Sequence, residues 1–215
     1  MRATLAASLF ALICTPLSAQ AQAPAASAPA SHTYSSPLGF SYTIPGDWEV
    51  VDSQASLPDV KDKAAQSDTS EAEKKGVGCT QMGLTARHGG PISVIVQVAL
   101  PFDCFGQRLT QADLPGFGAG AAEGLKQNFD ISDPLVATYM LGSYPLWAER
   151  VHGTPKGQPD KHYTIEISCA LLSKAAVCWL TMAADSNSLA IFENGAVTLD
   201  DDPPVALVPA GTFKQ

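Results

Sequence analysis

The side chains with the chemistry to act on a substrate gather first around one turn. His152 and His162 lie on either side of it, with Glu149, Asp160 and Glu166 close by in the sequence. Imidazole beside carboxylate is the combination that holds a divalent metal or moves a proton near neutral pH. His152, His162 and Glu166 are therefore the candidate centre of a metal-dependent enzyme or hydrolase. The plainer reading is a polar strand face meeting water, and it is the one adopted: no catalytic, metal or cofactor-binding residue is assigned, and no cofactor is expected. Of the other two histidines, His32 and His88, the latter sits beside two glycines and reads as a turn residue. Asp200-Asp201-Asp202 offers oxygens of the kind calcium takes, without the alternating spacing of a dedicated loop, and reads as a solvated acidic turn. No Gly-x-Ser-x-Gly elbow is present, and the glycines at 116–120 are not followed by the Lys-Ser/Thr that a phosphate loop requires.

Five cysteines remain to be placed. Cys14 falls in an apolar run that follows Arg2 and precedes Pro16 and the small residues at 19–21. A basic start, a short apolar stretch and small residues mark a secretory leader, read here as residues 1–21. The run is too short to span a bilayer, and no later run reaches the roughly 20 residues a membrane helix needs, so no membrane insertion is expected after cleavage. Cys79, Cys104, Cys169 and Cys178 stay with the exported chain, an even number that reads as two disulfides. With no Cys-x-x-Cys pair, a four-cysteine zinc site is a poor rival. The expected location is periplasmic or extracellular. The sequence carries 13 Lys and Arg against 21 Asp and Glu, a balance that argues against nucleic acid or anionic membrane surfaces as partners.

The elements that must position these groups follow from periodicity. Residues 22–33 are Ala/Pro/Ser/Gln-rich and read as a disordered tether, leaving 34–215 as one domain. Leu38, Phe40, Tyr42 and Ile44 alternate with small or polar residues, the pattern of a half-buried strand. Pro45-Gly46-Asp47 breaks it before Trp48 and Val50 resume the apolar face. Residues 52–75 are polar with a thin apolar stripe, suiting a surface helix. Segments 76–87 and 92–100 read as a hairpin about His88-Gly-Gly-Pro91, the second buried on both faces. Folding there brings Cys79 towards Cys104. Thr110 and Asp113 open a helix running to about residue 128, glycine-rich and so suited to close approach to a sheet. Segments 135–141 and 144–152 form a second hairpin about Gly142-Ser143.

The strongest pair is 161–172 with 175–184. Tyr163, Ile165, Ile167 and Cys169 share one face of the first strand. Folding at Ser173-Lys174 sets Cys169 across from Cys178, in register with Leu180 and Met182. Opposed strand residues lie ~4.5–5.5 Å apart, within disulfide reach. Residues 185–194 make a short last helix stopped by Gly195, and 205–213 form a tail.

The run Leu38-Gly-Phe-Ser-Tyr-Thr-Ile-Pro-Gly-Asp-Trp48, with Cys178-Trp-Leu-Thr-Met-Ala-Ala-Asp-Ser186 leading to Phe192, resembles the PsbP-like superfamily. The resemblance extends over most of residues 34–200. That group takes in photosystem extrinsic proteins, a nuclear-transport cofactor and exported bacterial proteins. The resemblance implies an α+β domain, an antiparallel sheet flanked by helices in an α/β/α sandwich, and roles in binding proteins or small ligands. It carries over no site residue, since the matching positions are core and turn positions. The expected function is an exported, non-enzymatic binding or interaction domain of the cell envelope, its partner an unspecified envelope protein or small ligand. The alternatives are the histidine-centred enzyme and a small-ligand carrier using the crevice beside the glycine-rich helix.

Overall fold

Two strands at the centre of the chain's apolar alternation form the spine of the fold. β9 (Tyr163–Leu171) and β10 (Ala175–Ala183) pair antiparallel, with Cys169 opposite Cys178 and Glu166 opposite Thr181. β5 (Ile92–Pro101) lies on the far side of β10, then β4 (Gln81–Gly89), then the two-residue β3 (Glu49–Val50). Beyond β9 comes β8 (Tyr144–Pro155), whose outer edge is shared by β6 (Phe129–Ile131) and β7 (Leu135–Leu141). All pairings are antiparallel, giving an eight-stranded sheet. The computed structural model describes residues 31–52, 71–90 and 92–213. The leader, nearly all of the expected tether and most of the helix expected within 52–75 lie outside the described residues.

One face of this sheet is covered by helices. α1 (Glu71–Cys79) and α3 (Leu114–Leu125) close a core of Val96, Val98, Trp147, Ile165, Ile167, Cys169, Cys178 and Leu180. The hairpin strand expected from residue 76 is corrected here: α1 runs through Cys79, and β4 starts only at Gln81. The Thr80 hydroxyl donates to the Gly76 carbonyl at 2.9 Å, capping the last turn, and a disulfide to Cys104 in α2 (Phe102–Phe105) pins it. α3 follows a 3-10 turn in which the Asp113 carboxylate accepts the Thr110 backbone N–H at 2.7 Å, the expected start. Its glycines have a use. A Cβ on Gly118 would lie 1.7 Å from Trp147 Cζ3, so only glycine lets the indole reach the helix backbone.

The opposite face carries a second, four-stranded sheet of β1 (His32–Ser35), β2 (Phe40–Ile44), β11 (Ala196–Leu199) and β12 (Val205–Ala206). Beside it lies α4 (Ser186–Glu193), whose Asp185 cap accepts the Asn187 and Ser188 N–H groups. Phe40, Tyr42 and Ile44 all point inward, as their alternation requires, and Trp48 meets Phe192 edge-on at 4.9 Å. The α+β architecture and the antiparallel sheet with helices on both faces stand as expected. The addition is that the opening strand builds a sheet of its own in the third layer. β1 already begins at His32, inside the stretch assigned to the tether. The tail is part of the core, with Leu207 and Val208 buried.

Candidate functional site

The charged groups converge under α4, on the face away from α1 and α3. Strand alternation puts Arg150 and Glu166 directly opposite each other on β8 and β9, with Thr181 next in the row on β10. Arg150 Nε donates to Glu166 Oε1 at 2.7 Å. Its Nη2 donates both to that carboxylate and to Glu193 Oε1 at the end of α4. The Phe213 ring covers the guanidinium at 4.2 Å. One cation thus ties β8, β9, α4 and the tail together. It also offsets a carboxylate at the negative end of a helix, where Glu193 would otherwise be disfavoured. Glu166 is only 2% exposed, and burial pushes its carboxyl above the usual range, with Arg150 acting against that shift.

The same face holds further buried polar atoms. Among the described residues, Trp179 Nε1 and both amide atoms of Gln97 have no hydrogen-bond partner, while the Thr181 hydroxyl stands beside the Glu166 carboxylate and acts with Arg150 against the effect of burial. Gln97 sits across from Trp179 in the ladder and Trp179 two residues from Thr181, so the four form one continuous strip. At the strip's outer end the Tyr139 hydroxyl donates to the Leu207 carbonyl at 3.2 Å. Burial raises the pKa of that phenol to about 12, leaving it a neutral donor.

The histidines lie further along this face and meet threonines. His152 is opposite Thr164, its Nδ1 3.4 Å from the hydroxyl; His162 Nδ1 is 3.0 Å from Thr154 Oγ1. Both rings are exposed, at the end of β8 and β9 where a turn joins the two strands. Strand parity thus brings His152, His162 and Glu166 to one face, with Glu166 buried beside Arg150 and the histidines out in solvent. Glu149 is on the opposite face, buried beneath α3, where burial raises its pKa against the pull of Lys126. Asp160 is exposed in the turn between β8 and β9. Among the described residues, no three His, Cys, Asp or Glu side chains are placed to hold a metal ion. His88, read from the sequence as a turn residue, instead lies in β4 opposite Ser93, where its Nε2 is 3.2 Å from Asp47 Oδ2 and its ring stacks on Trp48.

The acidic turn is neither solvated throughout nor arranged around a cation. Asp200 Oδ2 accepts the Tyr144 hydroxyl at 2.6 Å and the Ser173 N–H at 3.0 Å, and its Oδ1 accepts the Ser173 hydroxyl. Asp202 accepts from the Ser143 N–H and, at 2.7 Å, from its hydroxyl, which holds its carboxyl below the usual range. The two carboxylates thus fasten the turns of both hairpins. Asp200 does so from a left-handed conformation, φ +47°. The Tyr144 phenol is pushed up to about 12 by its bond to Asp200.

Arg150 and Glu193 are the residues that sequence reading passed over. The signal for Arg150 was present: it lies two positions before His152 on the same strand and so on the same face. Nothing in the sequence marks Glu193, which reaches the cluster only through the packing of α4. The cysteines sit apart from all this. Cys169 and Cys178 are joined inside the core facing α3, their Cα atoms 4.1 Å apart, and Cys79 and Cys104 are joined at its rim.

No protein-family model matches the chain, and no curated protein matches it. Among solved structures it is similar to cyanobacterial PsbP (CyanoP) from Synechocystis sp. PCC 6803. The identity is 10% and the TM-score 0.45, over 80% of this chain and 90% of that one. It is also similar to LpqN, involved in cell envelope biogenesis of Mycobacterium tuberculosis, at 13% identity and a TM-score of 0.37, over 74% and 83% of the two chains. At these values the likeness transfers no site, ligand or partner.

Proposed function

We propose that this protein is an exported, non-enzymatic interaction domain of the cell envelope. The observation that carries the reading is where the charges of this face direct their bonds. Arg150 with Glu166 and Glu193, and Asp200 and Asp202 with the two hairpin turns, each fasten one element of the chain to another. Groups held in this way are scaffold, and the surface is left to act through contact. Export is supported by two disulfides, bonds that persist in oxidising compartments. The resemblance carried by residues 38–48 and 178–186 implies a role in binding, although fold alone selects no function.

The test is covalent capture in the envelope of the producing cell. A photo-reactive amino acid is placed at exposed positions spread over the domain, and adducts are separated unreduced and identified by mass spectrometry. One discrete protein adduct at neighbouring positions supports the reading. No adduct anywhere, together with a stoichiometric metal or small molecule in the native protein, contradicts it and returns attention to His152 and His162.

A further inference from the structure

The two edges of the eight-stranded sheet are guarded very differently. At one edge β3 is two residues long and exposes Glu49, which accepts from Arg87 Nε at 2.8 Å. Shortness and charge are the usual means of keeping an edge from pairing with another chain. At the other edge β6 is short and followed by Ser132, Asp133 and Pro134, but β7 has no such protection. Its seven residues, Leu-Val-Ala-Thr-Tyr-Met-Leu, contain no charge and no proline. Val136 is 57% and Met140 56% exposed, and Leu135 39%. Among the described residues, β7 pairs only with β8, so its outer backbone groups have no strand beside them.

We infer that β7 is a self-association edge, and that its occupant is β7 of a second copy of this chain, added antiparallel. The inference rests on reading the protein as an interaction domain and names the partner at this edge. Two features favour an identical strand. The chain has a formal net charge of −8, and β7 is a run of seven residues where two copies meet without opposing like charges. The strand is also self-complementary. A two-fold axis at Thr138 sets Val136 of one copy opposite Met140 of the other, twice, with Thr138 facing Thr138 between them. Exposed apolar side chains thus meet exposed apolar side chains on one face, the kind of cross-strand pairs that stabilise sheets. The same axis places Asp133 of one copy opposite Ser143 of the other, whose hydroxyl is held by Asp202. Acidic groups therefore face each other at both ends of the paired segment, and the association is expected to tighten as salt rises.

The experiment is sedimentation equilibrium of the mature, oxidised protein over a hundredfold concentration range at low and high salt. A monomer–dimer equilibrium is expected, shifted towards dimer by salt. Thr138→Lys, an exposed change that sets two ammonium groups across the axis, is expected to leave only monomer. Ile191→Lys, on the exposed side of α4, is expected to leave the equilibrium unchanged. Monomer at every concentration and salt overturns the inference, as does a dimer indifferent to Thr138→Lys or equally lost with Ile191→Lys. A protein that stays monomeric while a photo-reactive group at Met140 captures a different protein overturns the second-copy assignment and leaves the interaction-domain reading standing.

Discussion

The two faces of the eight-stranded sheet are built by different means from strands that are continuous between them. The face under α1 and α3 is, apart from the lone carboxyl of Glu149, a packing solution: branched side chains, an indole seated on a glycine, and a disulfide within the apolar layer. The face under the small sheet and α4 adds a row of buried polar groups, with one arginine shared by two glutamates and several atoms that meet no partner. Apolar packing is non-directional and tolerates neighbours of similar shape. A buried ion cluster is directional and fails when its one cation is removed, because two carboxylates are then left uncompensated in a poorly solvated place. The helix face should therefore respond gradually to change, and the α4 face abruptly.

The largest effect is expected where the cluster is broken. Arg150→Ala strands Glu166 and Glu193 and is expected to cost about 3–5 kcal/mol in denaturant unfolding. Accelerated hydrogen exchange is expected first in α4 and the tail, since Arg150 joins both to the sheet. A loss below 1 kcal/mol would mean the cluster is not the fastener described. On the helix face, replacing Cys169 and Cys178 together by Ala is expected to cost about 2–3 kcal/mol, since the closed loop is short. Gly118→Ala, which drives a methyl into the Trp147 ring, is expected to cost roughly 1–3 kcal/mol and to change the Trp fluorescence. Asp185→Ala, which removes the α4 cap, is expected to cost about 1 kcal/mol, read as a lower unfolding midpoint with unchanged slope.

Much of the helix face was legible from the chain alone, and the reason is periodicity. The register of β9 on β10 follows from two constraints agreeing, the alternation through Tyr163, Ile165, Ile167 and the matching alternation through Cys178, Leu180, Met182. Local turns such as Gly142-Ser143 and the Asp185 cap are likewise written in adjacent residues. The α4 face was less legible because its chemistry is assembled from afar. Arg150 and Glu193 are 43 residues apart, and the partners of Asp200 and Asp202 lie 27 to 59 residues away. The hairpin reading of 76–87 starts its strand too early, because the Cys79 link and the Thr80 cap, which fix a helix end there, depend on Cys104 and on the helix itself. The opening strand was read correctly in kind, but alternation cannot say which sheet a strand joins.

The smallest effect is also the most direct test of the claim that Arg150, and not the Glu166 charge, is what fastens the α4 cluster. Glu166 has its pKa raised by burial, so the folded state holds its proton more tightly than the unfolded state. By linkage, its contribution is most favourable below the ordinary carboxylate pKa and is lost as pH rises through the raised value. Glu166→Gln keeps the acceptor for Arg150 and removes the titration. The measurement is unfolding free energy from acid to mildly alkaline pH for both proteins. The account predicts matching stability at the acid end, with the glutamine variant the more stable of the two from neutral pH upward. A variant less stable than the parent at neutral pH, with the difference vanishing in acid, would contradict it and show that the Glu166 charge itself is what the fold requires.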